Sequence, residues 1–142
     1  MENGPIIHAS CVEINGRGVL ICGESGSGKT TLVIELVSRG AKFVADDAVA
    51  IFSKDNRKWA TATDTTRGAI SISPFKVGMI EDVVPDATVS GDCMVELCVE
   101  LDARHSLRSD PLFDDIPRVY LEKNSVRVMA EMCEKIVNKL LA

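Results

Sequence analysis

Eight residues in the first quarter of the chain have the types and spacing of a phosphate-binding loop. Gly23-Glu24-Ser25-Gly26-Ser27-Gly28-Lys29-Thr30 fits G-x-x-x-x-G-K-[ST] at every fixed position. Average residue usage gives such a match by chance in about one chain of this length in a few hundred. Small residues let backbone N–H groups turn inward onto phosphate oxygens, and a helix beginning at the loop's end adds partial positive charge. Lys29 is then placed to reach the β- and γ-phosphates, and the Thr30 hydroxyl to ligate Mg²⁺. The chemistry implied is binding of ATP or GTP with magnesium. The plainer alternative, a flexible glycine turn, leaves the flanking strand and helix signals unexplained.

Asp46 and Asp47 form a second feature, ending an apolar segment directly after the helix that the loop opens. Ligands of open α/β sheets sit at the carboxyl ends of strands. Adjacent strand residues point to opposite sides, so both acids serve one nucleotide only if the strand ends there and the backbone turns. An Asx turn at a strand end is the simpler reading, and the neighbouring loop argues against it. His8 and Arg67-Gly68 are, taken alone, an ordinary histidine and an ordinary turn.

The elements that must position these groups alternate strand and helix. Residues 6–14 read as a strand with a turn over 15–18, and residues 18–22 (Gly-Val-Leu-Ile-Cys) as a short strand buried on both faces. Residues 29–38 have helical spacing, with Leu32, Leu36 and Val37 on one side and Gly40 as the stop. Residues 42–45 and 49–52 read as strands, with a hairpin-like turn over 54–57. Residues 69–73 read as an edge strand, and a loop-rich stretch runs from Pro74 to Pro85. Residues 94–101 read as a strand with Val95, Leu97, Val99 and Leu101 on one face and Glu96 and Glu100 on the other. A loop over 102–117 and a short strand over 119–121 follow. Residues 125–141 form an amphipathic helix, capped by Asn124 or Ser125, with Val126, Met129, Cys133, Ile136, Val137 and Leu140 on its apolar stripe. The fold class expected is α/β: a single P-loop domain over 1–142 with a mixed β-sheet and a C-terminal amphipathic helix.

Composition narrows the partners. The 142 residues are 46% hydrophobic and 26% charged, with a net charge of −5 and a pI near 5.0. Such a balance disfavours nucleic acid and anionic membranes, which need clustered Lys and Arg. The five cysteines (Cys11, Cys22, Cys93, Cys98, Cys133) are odd in number, sit mostly among apolar residues and have no Cys-x-x-Cys spacing. They read as reduced core thiols of a cytoplasmic protein. No leader is seen at the N-terminus, and no apolar run approaches the ~18 residues of a membrane span.

Together these features resemble the catalytic C-terminal domain of HPr kinase/phosphorylase, a PEP carboxykinase-like P-loop fold. The family order is a histidine at the first strand, a Gly-x-Gly-Val-Leu-Ile strand, a Walker loop, a helix ending in Arg-Gly, and Ala-Asp-Asp. Here it reads His8, Gly16-Arg17-Gly18-Val19-Leu20-Ile21, Gly23 to Thr30, Ser38-Arg39-Gly40 and Phe43-Val44-Ala45-Asp46-Asp47. The match is close over 6–52 and collinear, though weaker, from Arg67 onward. The large N-terminal domain of long family members has no counterpart, as in the short proteobacterial type.

The resemblance implies an ATP- and Mg²⁺-dependent kinase acting on a serine of an HPr-like phosphocarrier protein, reversible with inorganic phosphate, and a homo-oligomer, hexameric in the family. It implies Asp46 as the base, Asp47 and His8 as support for Asp46 and the metal, Thr30 as a metal ligand, and Arg67 near the phosphates. Two positions depart from the pattern. Thr65 stands where the family has a metal-side Glu, and Glu122-Lys123-Asn124-Ser125 where it has a basic Arg-x-Gly-Arg-Asn segment. The departures keep a second function open, a nucleotide-binding regulator with little turnover. A generic small-molecule P-loop kinase trails, lacking its own signatures.

Overall fold

The computed structural model describes residues 5–23, 28–64, 66–73, 76–101 and 115–140, excluding the side chains of Ile72, Ser73 and Leu140. The glycine-loop residues Glu24, Ser25, Gly26 and Ser27, and Thr65, therefore lie outside the described residues. Three strands and one helix carry the first half of the chain into the site. β1 (Ile6–Ile7) and β2 (Ala9–Ile14) are one expected strand interrupted at His8, and β3 (Arg17–Cys22) follows. Asn15 (φ 51°) and Gly16 (φ 80°) make the connecting turn, the left-handed pair that Asn-Gly adopts between antiparallel strands. β3 is buried from Gly18 to Cys22, which explains its unbroken apolar run.

The helix α1 (Lys29–Ser38) coincides with the expected span. Its end is a Schellman motif. Ala41 N–H donates to Leu36 O (3.0 Å), Gly40 N–H donates to Val37 O (3.0 Å), and Gly40 takes φ 109°, which a side chain would resist. Leu32, Val33, Leu36 and Val37 are buried against the sheet, each worth about 1.5–3 kcal/mol by area removed from water.

β4 (Lys42–Ala45), β5 (Val49–Lys54), β6 (Arg57–Thr61), β9 (Asp92–Glu100) and β10 (Arg118–Tyr120) complete the main sheet. Its order is β1-β5-β6-β9-β3-β2-β4, with β10 also on β9. The sheet is mixed: β3 runs parallel to β9 and antiparallel to β2, and β2 runs antiparallel to β4. One core lies between the sheet, α1 and α3 (Val126–Leu140). The other lies on the opposite face, where β5 and β6 pack over Leu20, Val44 and Cys98.

Several expectations are corrected. The hairpin-like turn over 54–57 does lead into a second strand, β6, whose span the polar Arg57-Lys58 start hides and which is held by the Asp55-Asn56 turn and by Trp59 stacking on Phe52 (6.3 Å between centroids). The stretch from Pro74 to Pro85 is not simply loop. It holds β8 (Lys76–Met79), paired with β7 (Ala69–Ser73) in a separate two-stranded sheet, and the short helix α2 (Ile80–Val83). β9 does not keep its apolar residues on one face. The register with β3 shifts between Gly18↔Val95 and Val19↔Leu97, a bulge. Val95 therefore joins Cys93 in one core, and Leu97 and Val99 the other.

That bulge brings two strands unusually close at Gly18, where an added Cβ would stand 2.2 Å from Met94 O and 2.9 Å from Cys93 Sγ. The α3 stripe is buried at Met129, Cys133 and Val137, with Val126 and Ile136 half-buried. Ser125 caps the helix by accepting Val128 N–H at 3.3 Å. Of the expected loop, 102–114 lies outside the described residues.

Candidate functional site

The site assembles where β3 ends and α1 begins. Gly28 occupies the helix N-cap in the left-handed region, no side chain caps the helix, and its first turn carries no acidic residue. Among the described residues, no acid of the helix itself competes for its N-terminal N–H groups. Lys29 folds back and is buried, 3% exposed. Its ammonium donates to Gly23 O at 2.6 Å, lies 3.3 Å from His8 Nε2, and faces Asp47 Oδ1 at 3.8 Å. An ammonium can only donate, so in its contact with Lys29 the His8 Nε2 stands on the acceptor side.

Asp46 follows the last residue of β4 and is 7% exposed. Its Oδ1 accepts the Ser10 hydroxyl at 2.8 Å, and its Oδ2 accepts Ser71 N–H at 3.0 Å. The Thr30 hydroxyl reaches both oxygens at 3.2 Å. Burial pushes the Asp46 carboxyl above the ordinary carboxylate range. The Ser71 and Ser10 hydrogen bonds work against this, the Asp47 charge adds to it, and Thr30 again opposes it.

Asp47 sits at φ 62°, so the backbone does turn at the pair, as two acids serving one ligand require. Its N–H donates to Ser10 Oγ at 3.2 Å, and its Oδ2 accepts the Ser71 hydroxyl at 3.4 Å. Its side chain is 39% exposed.

Of the expected residues, the structure therefore brings together His8, Gly23, Lys29, Thr30, Asp46 and Asp47. Arg67 is not joined to them. It is exposed in the turn before β7 and forms no hydrogen bond or ion pair with any described residue. Sequence reasoning missed Ser10 and Ser71. Ser10 was one small residue in an apolar strand, and the alternation of Ile and Ser over 69–73 marked an edge strand without saying what the serines touch. It also placed Glu100 on a polar strand face. Glu100 is 2% exposed and pairs in register with Cys22, the residue before the loop.

All five cysteines are free and buried. Cys11 and Cys93 lie 3.4 Å apart, sulfur to sulfur. That contact, with burial, raises the Cys11 thiol well above its ordinary range. Among the described residues no three His, Cys, Asp or Glu side chains are grouped to hold a metal, and no helix is long and apolar enough to cross a membrane.

This arrangement joins Lys29 and Thr30 to two carboxylates by direct contacts, a layout chemically suited to neutralising and orienting a phosphoryl group. Residues 2–140 match the HPr Serine kinase C-terminal domain model. The HPr kinase/phosphorylase of Streptococcus mutans is 32% identical over 109 residues, covering 76% of this chain and 34% of its own length. That of Streptococcus gordonii is 35% identical over 97 residues, covering 68% and 31%. The chain thus spans about a third of the length of these curated relatives. A solved structure of the Hpr(Ser) kinase/phosphatase from Coxiella burnetii superposes with TM-score 0.77 at 23% identity, covering 95% of this chain and 89% of that one, and shares its fold. With nearly its whole length matched, the chain belongs to the HPr serine kinase C-terminal domain family.

Proposed function

We propose that this chain transfers the γ-phosphoryl group of ATP to a serine of an HPr-like phosphocarrier protein. The observation that carries the reading is the unbroken contact series His8–Lys29–Asp47 and Thr30–Asp46 at the mouth of the loop. The residues fit Mg²⁺ and a triphosphate. An uncapped helix N-terminus and a buried ammonium suit phosphate oxygens. The hydroxyl and carboxylate oxygens of Thr30 and Asp47 suit a hard cation that keeps most of its ligands as water and phosphate.

In this reading the loop from Gly23 to Thr30 holds the phosphates, and Lys29 neutralises their charge. Thr30 and Asp47 serve the metal, which when bound screens the triphosphate. Asp46, whose affinity for a proton burial has raised, takes the serine proton. His8 orients Lys29 and Asp47, and Arg67 approaches the phosphates only through a change in its turn. The protein works in the cytoplasm as a homo-oligomer, hexameric as in its family. Phosphorolysis is the weaker direction, because Glu122, exposed where the family segment is basic, repels inorganic phosphate.

The test is to incubate the protein with ATP, Mg²⁺ and a panel of phosphocarriers and to look for phosphoserine by mass spectrometry. Nucleotide binding without any phosphoserine would favour a regulator of the same fold.

A further inference from the structure

We propose that Ser10 and Ser71 are positioning residues that clamp Asp46 and Asp47 in one fixed relation. The inference rests on the kinase reading above and adds two residues to it. Each serine touches both acids. Ser10, on β2, donates its hydroxyl to Asp46 Oδ1 (2.8 Å) and accepts Asp47 N–H (3.2 Å). Ser71, on β7, donates its N–H to Asp46 Oδ2 (3.0 Å) and its hydroxyl to Asp47 Oδ2 (3.4 Å).

The acids need such a clamp for two reasons. Both are carboxylates on adjacent residues, and their mutual repulsion favours turning one away. Asp47 also holds a left-handed φ of 62°, a conformation that costs a non-glycine residue energy unless its surroundings fix it. The Asp47 N–H donated to Ser10 is part of that fixing, alongside Ala48 N–H on Asp46 O (2.8 Å).

Ser10 is fully buried in a strand whose neighbours Ala9 and Cys11 are also fully buried. A hydroxyl there is unfavourable without partners, and the two acids supply them. Ser71 belongs to the separate β7–β8 sheet. The clamp therefore grips the acids from two sides, one jaw on the main sheet and one on the hairpin. Neither serine is assigned contact with substrate. Each acts through the carboxylates.

The experiment compares Ser10→Ala, Ser10→Thr and Ser71→Ala with the parent, using the full chain, ATP-Mg²⁺ and the phosphocarrier that the parent modifies. Ser10→Ala should lower kcat on the order of 10–100-fold, the range for removing an outer partner of a functional ligand, while nucleotide affinity stays within about twofold. Ser10→Thr, which keeps the hydroxyl, should recover most of the loss. Ser71→Ala, which keeps the N–H bond, should fall between. In an Asp46→Asn background, Ser10→Ala should add less than about twofold, because residues that act as a unit are non-additive.

Hydrogen exchange reads the clamp without turnover. The Asp47 amide should exchange at least about tenfold faster in Ser10→Ala. Full kcat in Ser10→Ala, a loss shared equally with nucleotide affinity, or effects that multiply with Asp46→Asn would overturn the clamp while leaving the kinase reading intact. An inert parent overturns the kinase reading, and an unchanged Asp47 exchange rate then overturns the clamp separately.

Discussion

Replacing Lys29 by alanine tests the phosphate site most directly, and the structure sets the size of the effect. The ammonium is buried at the loop's mouth, 2.6 Å from Gly23 O and 3.8 Å from Asp47 Oδ1. Deleting it removes a charge-assisted bond to the nucleotide, about 1.5–3 kcal/mol. It also leaves the Asp47 carboxylate facing the triphosphate unscreened. At ~6 Å and an effective dielectric near 20 that repulsion is about 3 kcal/mol. Because the Asp47 side chain is 39% exposed, solvent reduces the repulsion to roughly 1 kcal/mol. The total of about 2.5–4 kcal/mol corresponds to an affinity loss on the order of 100–1,000-fold. The fold should survive, since the ammonium's lost contacts with Gly23 O, His8 and Asp47 together cost about 1–2 kcal/mol, and Tm should fall by several degrees. Calorimetric titration with ATP-Mg²⁺ reads the affinity and thermal melting reads the fold. A Lys29→Ala protein that melts normally and binds within about threefold of the parent would refute the assignment of the loop, and the functional reading with it.

Asp46→Asn keeps the shape of the side chain and removes the proton acceptor, so phosphoryl transfer should drop at least ~100-fold while nucleotide affinity holds, measured as initial rates beside calorimetry. Gly18→Ala should destabilise by about 1–3 kcal/mol in urea unfolding, because Met94 O, a backbone atom 2.2 Å from the added Cβ, cannot swing aside. Burial, and secondarily the Glu134 charge, raise the Cys133 thiol to about 12. Its stabilising contribution is complete below the unfolded thiol pKa near 8.5 and is lost as pH rises toward about 12. The fall in stability across that window should be shallower in Cys133→Ala, and an equal slope would show that Cys133 does not titrate there.

The parts of the fold legible in the sequence are those where one local signal dominates. α1 is bounded by Gly28 and by the Gly40 Schellman stop, and β3 is a continuous apolar run because both its faces are buried. β6 and β8 escaped because their identity comes from pairing more than from pattern, and α2, at four residues, is too short to show a helical period. Lys76-Val77-Gly78-Met79 is only four residues long, contains a glycine and lies between prolines, and pairing with β7 makes it a strand. The β9 bulge escaped for the same reason, since an extra residue at Glu96 serves the approach of Gly18 on another strand. In the site, Lys29, Thr30 and the acid pair were legible through motif and order. Ser10 and Ser71 were not, because a serine's partners 36 and 25 residues away leave no trace in local composition.

Strand direction explains why residues so far apart converge. β3 and β4 run the same way, because each is antiparallel to β2, which lies between them. Their carboxyl ends deliver Gly23 and Asp46 to one edge of the sheet. β2 runs oppositely, so that same edge receives its beginning, which is why His8 and Ser10 arrive beside Lys29 and Asp46. α1 crosses from β3 to β4 over β2, and its N-terminus is therefore fixed at the edge where all three strands meet. A helix start that can hold phosphate and carboxylates that can manage a proton are thus consequences of one connection, β2–β3–α1–β4. Among the described residues, Ser71 reaches the acids from outside it, on the β7–β8 pair.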